Sequence, residues 1–224
     1  MGSQRRIALL NAVNAISEPS VQSLETLAGV ALKSDIIKNI PILGFAVGII
    51  KSSKSLQDYI LIRKIANFLI ALETNSVDDD LLEEGIQNIE RNSGQEALLN
   101  LINEAKGEKI AKALAMLLKA HAVRKITSEE FKQAADVLTL LSYEQLRRFL
   151  MLEIKPYEPG ELGSLNSVGL YEIMYDSPEV SVWDNSDPDV NEKYQSEVDG
   201  GVILMTPTHE GQILKENIDL NNLT

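Results

Sequence analysis

The sequence predicts a mainly α protein, with a multi-helix domain over residues 1–126 and a small, acidic α+β domain over 127–224. Three observations lead there. Apolar residues recur at steps of three and four nearly throughout the first 152 residues, with few β-branched runs, which is the spacing of helices that bury one face. After Lys155-Pro156-Tyr157-Glu158-Pro159-Gly160 the pattern changes to Asp, Asn, Ser, Gly and Pro clusters around short β-like stretches. The charge changes too: residues 1–125 hold 15 Lys and Arg against 14 Asp and Glu, whereas 126–224 hold 6 against 19, so the net charge of −12 lies in the back.

The helices follow in order. Residues 5–17 and 21–32 give two, separated by Glu18-Pro19 with Ser20 as the next start. Residues 56–72 carry Ile62, Ile65, Ala66, Leu69 and Leu72 on one face, the mark of a helix packed on a partner. Asp78, Asp79 and Asp80 suit the positive N-terminal end of a helix continuing through Leu82, Ile86 and Ile89. Residues 94–105 and 108–123 give two more around Gly107. Thr127 with Glu130, and Ser142 with Gln145, have capping-box spacing, in which a hydroxyl and a carboxylate or amide satisfy orphan backbone N–H groups reciprocally. In the back, residues 171–175, 180–183 and 202–205 are the β-like stretches, and 212–218 gives a terminal helix with Pro207 at an early position.

Composition removes most chemistry. With no cysteine, the chain supplies no thiol nucleophile, redox dithiol or thiolate metal site. His121 and His209 are the only imidazoles, and there is no G-x-S-x-G elbow, P-loop or H-E-x-x-H pair. The acidic group from Asp78 to Glu84 lacks the spacing of a calcium loop and suits a solvated helix start. No catalytic residue, metal or cofactor is therefore expected. Arg5 and Arg6 precede a short apolar run, but Asn11 and Asn14 interrupt it before a signal-peptide core could form, so the expected location is cytoplasmic.

Two stretches stand out as functional candidates. Residues 40–50 are uncharged and lie between Lys38 and the pair Lys51 and Lys54. Ile40, Ile42, Leu43, Phe45, Val47 and Ile49 are too few to span a bilayer, which takes roughly 20 residues, yet they must be buried in something. Gly44 and Gly48 have the spacing that lets two helix backbones approach closely. The run is thus either a central helix of a bundle or a contact for self-association or for the inner membrane face, with Lys51 and Lys54 at anionic headgroups. The second stretch is the basic cluster Lys106, Lys109, Lys112, Lys119, Arg124 and Lys125, read as dipole complement on a solvated face or as an anion-binding patch.

The back, with its capped helix over 142–152, the Gly169-Leu170 step, the β-like runs and the Thr206-Pro207-Thr208-His209-Glu210-Gly211 turn, resembles a winged-helix module. Met205 stands where Leu is usual, and one extra residue precedes Gly211. Many such modules bind DNA, which here would fall to Arg147, Arg148, Lys155 and Lys193; nineteen acidic residues oppose it. The front, with Ile40-Pro41-Ile42-Leu43-Gly44 and the run from Asp58 to Leu69, resembles poorly characterised bacterial and phage proteins of the abortive-infection alpha type. That resemblance implies a role in bacterium–phage conflict and carries no catalytic residue. The expectation is a non-enzymatic effector that docks on a membrane or self-associates through its apolar front and binds a protein partner with its acidic back. A DNA-binding regulator is the alternative.

Overall fold

The computed structural model describes residues 56–73, 77–93, 96–175, 180–184, 194–198 and 203–223. The two helices expected over 5–17 and 21–32, and the apolar run 40–50 with Lys51 and Lys54, lie outside the described residues. The described chain is mainly helical with short antiparallel ladders, and it divides into two compact units, Met1–Leu152 with His209–Thr224, and Glu153–Thr208. The boundary expected at 126/127 falls inside the first unit.

In the first unit, α1 (Leu56–Glu73), α2 (Asp79–Ser93), α3 (Ala97–Glu104), α4 (Glu108–Ala122), α5 (Ser128–Leu140), α6 (Tyr143–Met151) and α8 (His209–Asn217) form the bundle. Helix α4 is its axis. Ile110, Ala111, Ala113, Leu114, Ala115, Leu117, Leu118 and Ala120 are all buried, so α4 is apolar on nearly every side and must be surrounded. Helices α1, α2, α5 and α8 do this. Its alanines keep the axis thin. A Cβ on Gly85 of α2 would lie 3.1 Å from both Cα and Cβ of Ala122, which shows how closely those two helices approach.

Both capping boxes form. Thr127 Oγ1 accepts from the Glu130 N–H at 3.2 Å while the Glu130 carboxylate accepts from the Thr127 N–H at 2.7 Å. Ser142 and Gln145 do the same for α6 at 3.3 and 3.0 Å. Gly107 precedes α4 with φ +152°, a backbone state that side-chain-bearing residues rarely adopt, so the tight α3–α4 connection needs glycine. Asn67, buried in α1, donates its amide to the Arg63 carbonyl and to the Glu108 carboxylate, both at 2.9 Å, and Glu108 also pairs with Arg63 at 2.8 Å. That polar cluster fixes α1 against the start of α4, although the Arg63 Nε is buried within it without a hydrogen-bond partner among the described residues.

The second unit holds α7 (Pro159–Leu162), a 3₁₀ turn (Gly163–Leu165) and four strands: β1 (Tyr171–Tyr175), β2 (Val180–Asp184), β3 (Tyr194–Val198) and β4 (Ile203–Pro207). Strand β1 pairs antiparallel with β4, and β2 with β3. The two ladders share one register: five residues on from Tyr175 and five back from its partner Ile203 stand Val180 and Val198, which also pair. Tyr157 joins the other edge of β4 through Met205, with two backbone hydrogen bonds of 2.9 and 2.8 Å. Tyr157, Leu162, Leu165, Leu170, Tyr171, Met205 and Pro207 are among this unit's buried residues. Pro207 is a correction to the expectation. It ends β4, opposite Tyr171, instead of opening the last helix, which starts at His209.

Candidate interaction surface

Four cations of the front's basic cluster engage other elements of the first unit, while Lys125 is exposed. The ammonium of Lys119 donates to the Ala71 carbonyl near the end of α1, and that of Lys106 to Leu140 at the end of α5. Lys109 lies 4.0 Å above the ring of Tyr143, and Arg124 pairs with Glu84 at 3.1 Å. Lysines elsewhere repeat the device: Lys64 donates to Asn103 near the end of α3 at 2.7 Å, and Lys215 of α8 to Phe149 at 2.7 Å and to Leu152. The last carbonyls of four helices thus receive a cation from another element, a charge-assisted form of C-capping. Burial lowers the pKa of Lys64 and Lys215, and the carbonyl oxygens beside them can only accept, so each amine is the donor.

Both histidines belong to the corner where α4 turns into α5. His121 is 7% exposed, its Nδ1 3.2 Å from the Ile126 carbonyl oxygen and its Nε2 3.5 Å from Ser128 Oγ. A carbonyl only accepts, so Nδ1 carries a proton and donates to Ile126, while Nε2 faces the Ser128 hydroxyl. The ring also packs near Phe131, centroids 5.9 Å apart. Between them Arg124 takes φ +60°, the left-handed turn that ends α4. His209 Nε2 lies 3.0 Å from the Glu130 carboxylate. That carboxyl is held below its ordinary value first by the Thr127 backbone N–H, then by the Thr127 hydroxyl and by His209. A cleft of about 300 Å³ lined by Glu84, Asn88, His121, Arg124, Ser128 and Glu130 opens here. Glu84 pairs with Arg124 and Glu130 with His209, and the His121 imidazole lies against a backbone carbonyl, contacts that lock the α4–α5 turn; Lys125, which also lines the cleft, is exposed.

Of the residues offered for DNA contact, two lie on the first unit, one on the second and one outside the described residues. Arg147 and Arg148 are exposed on α6 of the first unit, with Arg147 3.8 Å from Glu144. Lys155 belongs to the second unit, 3.7 Å from Glu153 and over the ring of Tyr157, and Lys193 lies outside the described residues. No group of metal-ligating side chains occurs among the described residues, and no helix among them is long and apolar enough to cross a membrane.

An exposed apolar surface lies on the second unit's sheet. Side chains of paired residues share a face, so Ile173 (opposite Met205), Tyr175 and Ile203 (opposite each other) lie together. Met205 is buried, whereas Ile173 is 56% exposed, Tyr175 73% and Ile203 49%. The residues from 171 to 207 include nine acidic side chains and one basic one, Lys193. Three large apolar side chains thus lie exposed on one sheet face of a segment rich in acidic residues. No family model, curated protein or solved structure matches the chain. The surface is therefore read on its own physics. The β-like reading of 171–175 did not single out Ile173 or Tyr175; the signal was Tyr-Glu-Ile-Met-Tyr itself, which puts three large apolar side chains, Tyr171, Ile173 and Tyr175, on one face.

Proposed function

We propose that the protein is a non-enzymatic interaction protein whose acidic second unit binds a basic protein surface. The observation that carries this reading is the exposed trio Ile173, Tyr175 and Ile203. Aromatic and aliphatic side chains grouped in this way supply the anchoring core of an interface, and surrounding charge selects the partner. Nine acidic residues against one select a basic partner. The resemblance noted in the sequence supports assigning the interaction to bacterium–phage conflict, with residues 40–50 as the membrane or self-association contact.

The winged-helix-like reading of the back draws support from the order β1, β4, Tyr157 across the sheet. A DNA-reading module of that form needs a helix to fill a major groove about 12 Å wide. Between Tyr157 and β1 this unit offers four residues of α7 and three of a 3₁₀ turn. Short helices and an acidic surface both disfavour the DNA-binding alternative.

The test is a photo-crosslinking amino acid placed at Tyr175 and, separately, at Lys132, which is exposed on α5 of the first unit. Adducts with a basic protein from position 175 and not from 132 are expected. No adduct at 175, or the same adducts from both positions, overturns the reading.

A further inference from the structure

The backbone of β1 carries more than its side chains do. In an antiparallel pair, opposed residues alternate between those that exchange hydrogen bonds and those that point their N–H and C=O away from each other. Met205 spends its N–H and C=O on Tyr157, across the far edge of β4, so the pair Ile173 and Met205 is of the second kind. The same phase follows from the other end: the Thr208 N–H donates to the Leu170 carbonyl at 3.0 Å, and Pro207, with no N–H to give, stands opposite Tyr171 one step along. Glu172 and Met174 therefore face β4 with their backbone groups, and Ile173 and Tyr175 turn theirs outward to the free edge. Among the described residues no strand pairs with that edge.

Edges of this kind are ordinarily blunted by lysine, proline or a bulge. Strand β1 reads Tyr-Glu-Ile-Met-Tyr, with none of these. Two unpaired N–H and C=O sets stand two residues apart, about 7 Å along the strand. Their side chains, Ile173 and Tyr175, form one exposed apolar face, and Glu172 and Met174 are exposed on the other.

We infer that this edge is a strand-addition site, where an extended basic segment of a partner protein pairs antiparallel with β1. The inference rests on the proposed function and gives it a mechanism. Backbone hydrogen bonds to Ile173 and Tyr175 supply register, and alternate side chains supply selection. In the antiparallel arrangement the residue that exchanges bonds with Ile173 has its side chain on the same face. The segment therefore alternates apolar residues, over Ile173 and Tyr175, with lysine or arginine on the side of Glu172.

The probe is a short peptide of alternating lysine and valine, added to the full chain and read by amide hydrogen exchange. In the free protein the Glu172 and Met174 amides exchange slowly and those of Ile173 and Tyr175 fast. With peptide, Ile173 and Tyr175 are expected to slow by about tenfold or more, the others little. Methylating the peptide's valine nitrogens, which face β1, should abolish this protection; methylating the lysine nitrogens should not. If both methylated peptides bind alike, the attraction is charge without strand addition, which overturns the inference and leaves the proposed function in place. If no form binds, both fall. If exchange at Ile173 and Tyr175 is already slow and depends on protein concentration, a second copy occupies the edge and the inference is overturned.

Discussion

Glu130 caps α5 through the Thr127 N–H at 2.7 Å and meets His209 at 3.0 Å, so one carboxylate serves both the α4–α5 corner and the returning helix α8. Its pKa is lowered by those contacts. A carboxyl whose folded value lies below its unfolded one adds stability that is full above the unfolded value and is lost as pH falls through the folded one. Glu130→Gln should therefore unfold at lower urea than wild type at pH 7, with the gap closing as pH drops below the ordinary carboxylate range and through the lowered value. A gap that stays constant with pH would show that the charge on Glu130 does not matter. The boxes themselves are legible in the sequence because both partners sit three residues apart on the chain. The lysine caps are not, because Lys106, Lys64, Lys119 and Lys215 find carbonyls 34 to 66 residues away. A solvated basic face and a set of tertiary caps look the same in one dimension.

Helix α2 depends on a residue that does nothing but stay small. Gly85 lets α2 lie against Ala122, and any side chain there must enter a space where even a Cβ would be 3.1 Å from the neighbouring backbone. Gly85→Leu should cost about 1–3 kcal/mol by overpacking, in spite of the better helix propensity of leucine. A thermal or urea melt measures it, and an unchanged midpoint would mean that α2 can slide away from α4 freely. Helices of this bundle were readable because their apolar stripes repeat every three or four residues: the spans expected at 56–72 and 108–123 differ from α1 and α4 by a single residue at one end. Strand β3 was not. Its sequence, Tyr-Gln-Ser-Glu-Val, has no β-like apolar run and becomes a strand through its register with β2. Strand β1 was legible as a strand, but which of its backbone groups face outward depends on Met205 bonding to Tyr157, a contact no local pattern encodes.

The first unit is closed by a piece of chain from the far end. Helix α8 rests on α5 and α4, the last 3₁₀ turn (Leu220–Leu223) on α4, and Ile213, Leu214, Ile218 and Leu223 are buried. The shift of charge at 126 suggested a boundary there, but charge reports surface and not contact, and a cut after Ile126 would separate α4 from α5, which packs directly on it. Each fully buried aliphatic side chain is worth about 1.5–3 kcal/mol, so losing four would remove about 6–12 kcal/mol, as much as a domain's whole stability. A chain ending at Leu152 should accordingly fail to melt cooperatively. Replacing residues 153–208 with a flexible glycine–serine linker should instead keep the helical circular-dichroism signal and a cooperative transition, because the second unit is an insertion between α6 and α8. The comparison separates two kinds of dependence. If the linker variant also unfolds, the second unit is part of the first unit's stability and is no insertion; if the truncated chain melts as sharply as the full one, α8 is an accessory to the bundle and Lys215 and His209 hold it there for some other purpose.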